Sequence, residues 1–125
     1  MNETFEPGDY YVGDLCYVLR NEWDEVCSLT IKEHSCLDGV FTLANGTKFA
    51  TYGTAYGDGV YIDQKGHKYP VDAGLIGCVA VKDLDANILK DNIHLGNIIK
   101  FDNKPFTTHE NEGVIVIGNL SIDTN

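Results

Sequence analysis

Apolar and polar positions change period several times along the chain, and each change marks an element. Residues 9–19, Asp-Tyr-Tyr-Val-Gly-Asp-Leu-Cys-Tyr-Val-Leu, read as one or two strands broken at Gly13-Asp14. Over residues 22–33 the period lengthens to that of a helix. Trp23, Val26, Cys27, Thr30 and Ile31 fall at i, i+3, i+4, i+7 and i+8 and form one apolar stripe. Asn21 is the expected N-cap, with Asp24 at N3, and Glu22 and Glu25 share the first turn, where the helix dipole favours negative charge.

Beyond the helix the pattern is short strands and turns. Residues 40–44 and 47–53 flank Asn45-Gly46, which predicts a hairpin with a type I′ turn. Residues 60–63 and 67–72 flank Gln64-Lys65-Gly66, a second hairpin. Residues 75–81 are apolar on both faces, as a central strand requires, and 83–92 allow a short helix. Residues 97–101 and 106–108 bracket Asp102-Asn103-Lys104-Pro105, and 113–123 form a last strand or a tight hairpin at Gly118-Asn119. The expected class is therefore α+β, mainly β: a strongly curved antiparallel sheet or small β-barrel with one helix (about 22–33) packed on it. At 125 residues the chain is long enough for a single domain, 1–125, with a core of its own.

Charge narrows the function classes. Nineteen acids against nine bases give a net charge of −10. Up to Asp38 there are nine acids and two bases, and the remainder carries ten acids and seven bases. Direct nucleic-acid binding is not expected, because phosphate contacts need clustered Lys and Arg. A protein partner with a basic surface would be attracted to the acidic helix, which makes Glu22, Asp24 and Glu25 the candidate protein-binding residues. No stretch approaches the roughly 20 apolar residues of a membrane span. The first seven residues have neither a basic flank nor an apolar run, so no export signal and a cytoplasmic setting are expected. Cys16, Cys27, Cys36 and Cys78 form no C-x-x-C pair and should remain reduced thiols.

Candidate chemistry concentrates in residues 51–63 and 69–74, where Asp, Tyr and Gly crowd together. Asp58 lies between two glycines, where the backbone permits close approach of a ligand. Asp14, Tyr56, Asp58, Tyr61 and Asp72 are accordingly the candidate lining of a ligand pocket. The same residues also suit turns and half-buried strands. Asp58 and Asp63 lack EF-hand spacing, and Cys27, His34 and Cys36 match no common zinc site, so no metal or cofactor is expected. No nucleophile elbow or Gly-rich phosphate loop selects a catalytic residue. Arg20 is the only arginine, which weighs against a phosphate-rich ligand.

Two segments carry a resemblance: Gly13-Asp14-Leu15-Cys16-Tyr17-Val18-Leu19, and Tyr56-Gly57-Asp58-Gly59-Val60-Tyr61-Ile62-Asp63 continuing through Val71-Asp72-Ala73-Gly74 and Ile76-Gly77. This pattern resembles a group of small uncharacterised proteins of bacteria and their tailed phages, which open with a G-D-P-C-Y-V-like strand and carry a central Y-G-D-G-x-Y block. Leu15 stands where that pattern has proline. The resemblance implies a phage or bacterial cytosolic protein and assigns no catalytic residue. The leading expectation is a small acidic binding protein that inhibits or sequesters a host or defence protein, or serves as an immunity-type inhibitor. The alternatives are a small enzyme or nucleotide- or sugar-binding barrel, and a phage structural or assembly component. Free sheet edges would also allow a homodimer.

Overall fold

A computed structural model describes residues 4–33, 35–102 and 104–125, apart from the side chain of Cys36. The first strand, β1 (Gly8–Gly13), is followed by a 3-10 turn at Leu15–Tyr17, so Val18 and Leu19 are not strand. Helix α1 (Trp23–Thr30) leads into a two-residue hairpin of β2 (Ile31–Lys32) and β3 (Ser35–Cys36). Next come β4 (Gly39–Thr42), β5 (Lys48–Gly53), β6 (Gly59–Ile62), β7 (Lys68–Val71) and β8 (Leu75–Ala80). Helix α2 (Ala86–Asn92) precedes β9 (Gly96–Phe101), and β10 (Thr108–Asn111), β11 (Val114–Ile117) and β12 (Leu120–Asp123) complete the chain.

The fold is α+β and mainly β, but no barrel closes. The main sheet is antiparallel with the order β4-β5-β8-β1-β9, and β10-β11-β12, β6-β7 and β2-β3 form separate sheets. Both faces of the main sheet are covered, so it has no need to roll up on itself. Tyr10, Val12, Ala50, Tyr52, Ile76 and Cys78 point to one side and pack with residues of β7, β11 and β12. Tyr11, Phe49 and Val79 point to the other, where Leu15, Val18, Leu19 and Val26 cover them. The central position of β8, between β5 and β1, explains why its sequence is apolar on both faces.

Several local expectations are corrected. The helix spans 23–30, not 22–33. Its N-cap is Glu22, which makes no side-chain cap bond, because Asn21 lies in the turn that leads from the 3-10 segment. At its end Ile31 is extended and Leu37 N–H donates to Thr30 O at 2.6 Å, while Glu33 takes a left-handed φ of 51°. Ile31 is therefore 47% exposed and leaves the buried stripe. His34 and the Cys36 side chain, weighed above for zinc, lie outside what is described.

The Asn45-Gly46 hairpin forms, but with a different turn. Leu43 N–H donates to Thr47 O and Gly46 N–H to Leu43 O, and of the two central candidates only Gly46 has positive φ, at 94°. This is a type I turn closed by a glycine bulge. Asn45 Oδ1 holds it by accepting Thr47 N–H at 2.9 Å. Asp63 to His67 repeats that hydrogen-bond pattern, with Gly66 at 92°. The turn with two left-handed residues is Glu112-Gly113, between β10 and β11. Gly118-Asn119 joins β11 to β12 as a tight hairpin. Residues 97–101 and 106–108 do not pair with each other. β9 joins the main sheet and β10 the three-stranded one, while Phe106 bridges Phe5.

Candidate functional site

Two buried carboxylates organise the Asp/Tyr-rich segments. Asp14 follows β1 and is fully buried. Its carboxylate accepts the N–H of Cys16 at 3.0 Å, of Asp72 at 2.8 Å and of Ala73 at 2.6 Å. The two segments that carry the sequence resemblance are thus joined here by one side chain. Cys16 lies beside it. Burial pushes its thiol up to about 12, assisted by the hydrogen bond and negative charge of Asp14. Cys78 is also pushed up to about 12 by burial in the core. Neither thiol is poised as a nucleophile, since the thiolate is the reactive form.

Asp63 is the second hub. Its side chain has no exposed surface, and Oδ1 accepts Lys65 N–H at 2.8 Å and His67 N–H at 3.0 Å. Oδ2 meets His67 Nδ1 at 2.9 Å and accepts the Tyr69 hydroxyl at 2.7 Å. Burial opposes the charge, but the bonds from Tyr69, His67 and the backbone outweigh it and hold the carboxyl below its ordinary range. Burial and the Asp63 carboxylate together raise Tyr69. The His67 side chain is 39% exposed, an arrangement in which a buried carboxylate orients a partly exposed imidazole through Nδ1. The sequence placed Asp63 in the Asp/Tyr-rich segment and before a turn, but not among the pocket candidates. The two-residue spacing of His67, just before β7, and Tyr69, within it, was the available signal, because it puts both on the side of Asp63.

The remaining pocket candidates separate. Asp72 gives its N–H to Asp14, while its own side chain faces solvent. Tyr61 is half-buried, and its hydroxyl donates to Gly57 O at 2.8 Å. Thr54 Oγ1 donates to the same oxygen at 2.6 Å, and Thr54 N–H to Gly74 O at 3.0 Å, so the 54–58 loop rests on the 72–74 turn. Tyr56 is 76% exposed, and Asp58 is exposed as well. A separate cavity lies elsewhere. It holds about 450 Å³ over the stacked rings of Phe101 and Phe106, with Lys100 and Lys104 among its lining residues. Among the described residues, no group of three or more His, Cys, Asp or Glu side chains is placed to hold a metal ion.

On the opposite face, the acidic residues cluster at the start of α1. Glu22 is the N-cap, and Asp24 and Glu25 lie in the first turn. Glu25 is also a structural link, since its Oε2 accepts Ala44 N–H at 2.6 Å and fixes the helix to the β4–β5 hairpin. Asp24 faces solvent and Glu22 is half-exposed. Among the described residues, no helix is long and apolar enough to cross a membrane. No family model, no curated protein and no solved structure matches this chain.

Proposed function

We propose that this chain is a small cytoplasmic protein-binding module of bacterial or phage origin, which blocks or sequesters a partner through the acidic start of α1. The observation that carries this reading is the contrast between the carboxylates. Asp14 and Asp63 are committed to donors of the chain itself, whereas Glu22 and Asp24 present their charge at the surface. Steering by such a face speeds association with a basic surface and weakens as salt rises. The resemblance to small phage and bacterial proteins suits an inhibitor of a host or defence protein.

The test begins with capture of the partner from bacterial lysate at low and high salt, followed by kinetics with the purified partner. Glu22→Lys combined with Asp24→Lys is expected to lower the association rate about tenfold at low salt and leave little difference at high salt. A partner that associates with the double variant at the wild-type rate sinks the proposal. A small-molecule reading has one observation in its favour, the cavity over Phe101 and Phe106 with its two lysines. Stabilisation of the purified protein by a nucleotide, lost on Lys100→Glu with Lys104→Glu, would favour that reading instead.

A further inference from the structure

The strand next to the acidic helix is an open edge. Among the described residues, β4 has β5 as its only strand partner and stands at the end of the five-stranded order. Leu43 N–H bonds to Thr47 O at the turn, and Phe41 is aligned with Phe49 two residues further on. Antiparallel alternation therefore aims the backbone groups of Gly39 and Phe41 at β5 and those of Val40 and Thr42 outward. Edge strands of this kind are commonly protected by a charge, a proline or a bulge. Gly39-Val40-Phe41-Thr42 contains no charged residue and no proline.

Its surroundings are acidic. Glu25 is bonded to Ala44 just after the end of the strand, while Asp38, just before it, accepts Gly53 N–H of β5 at 2.9 Å. Glu22 stands one helical turn before Glu25. Of the bases near it, Lys32 is exposed on β2 beside Ile31, and Lys48, aligned with Thr42, is drawn away to the Thr4 carbonyl oxygen and lies over the Phe5 ring. Ile31 (47% exposed) and Leu37 (39% exposed) add apolar surface just upstream of β4. The two faces of the strand also differ. Phe41 packs with the cluster that includes α1, whereas Val40 packs with the cluster on the other side of the sheet.

Resting on the reading above, we propose how the partner is held: an extended segment of it adds to β4 as a sixth strand. Its side chains alternate between basic residues on the α1 side, facing Glu22 and Glu25, and apolar residues beside Val40. Main-chain bonds to Val40 and Thr42 supply the attachment, and the alternation supplies the selectivity. A second copy of this chain fits less well, because two strands flanked by carboxylates would repel each other.

The probe is a capped nine-residue peptide of alternating Lys and Val, titrated into isotope-labelled full-length protein at low salt. Saturable binding is expected, with shifts and slowed exchange at the Val40 and Thr42 amides. Thr42→Pro removes an outward N–H and is expected to weaken binding by about tenfold or more with little change in melting temperature. Should that variant fail to fold, protection of the two amides in the wild-type protein decides the matter. Absence of saturable binding, or of that protection, overturns strand addition. If Thr42→Pro binds like wild type while Glu22→Lys with Asp24→Lys does not, the acidic face stands and strand addition falls. Protection of these amides that rises with protein concentration, without peptide, assigns the edge to a second copy and also overturns it.

Discussion

Asp14 and Asp63 are both buried carboxylates that accept several hydrogen bonds, yet they hold different kinds of structure. The donors of Asp63 lie within six residues of it: Lys65, His67 and Tyr69. It organises a turn that its own hairpin already defines, and its histidine partner is partly in water. Two of the three donors of Asp14 lie 58 and 59 residues away, on the turn before β8. Without Asp14 those N–H groups would face a neighbour that cannot accept. The same residue type therefore serves local turn chemistry in one place and long-range assembly in the other. In both places the burial of a charge is offset by donors supplied by the chain.

The largest effect is expected at the long-range hub. Asp14→Ala should cost about 3 kcal/mol or more in urea unfolding, because it strands backbone donors in the interior. A loss below about 1 kcal/mol would mean that water or rearrangement satisfies them, and the contrast between the hubs would fail. Asp63→Asn should cost less at neutral pH, about 1–2 kcal/mol, because part of its network is reachable by solvent. It sharpens the comparison through pH. The folded-state carboxyl is held below its ordinary value of 3.8, so its contribution is present above that value and is lost as pH falls through the lower, folded-state one. The wild-type protein should lose stability on that acidic limb more steeply than Asp63→Asn, and parallel limbs would remove Asp63 as a stabilising charge. The smallest effect is expected at Gln64, which docks the same hairpin on β12 by donating to Asn119 O at 2.6 Å and accepting Ser121 N–H at 2.8 Å. Both bonds are exposed, so Gln64→Ala should cost about 1 kcal/mol or less. A larger loss would show that these two side-chain bonds, more than the Asp63–Ile122 bridge and the bond from Gln64 N–H to Ser121 O, hold the hairpin on β12.

Much of the fold was legible because it rests on near neighbours in the chain. The helix at 23–30, the hairpins at Asn45-Gly46 and Gly66, the short helix at 86–92 and the central character of β8 follow from periodicity and turn residues. The acidic first turn of α1 was equally plain, since charge is read directly from composition. The choice among turns was not: Asn45 was free to be left-handed, but its side chain bonds to Thr47 instead, and Glu112 takes the conformation expected of it. Nor did the sequence show that Glu25 reaches Ala44, or that β4 stands at an edge, because Val40-Phe41-Thr42 would read the same in the middle of a sheet.

What the sequence determined by itself was the first helix, most of the strands from β4 onward and the location of the charge. Those depend on residue type and on spacings of a few residues. Tertiary structure alone decided that the sheet stays open, that β9 and β10 part into different sheets, and that Asp14 closes on Asp72 and Ala73. Each of these depends on which apolar faces cover one another. Strands with two apolar faces are compatible with several neighbours until the whole core is packed.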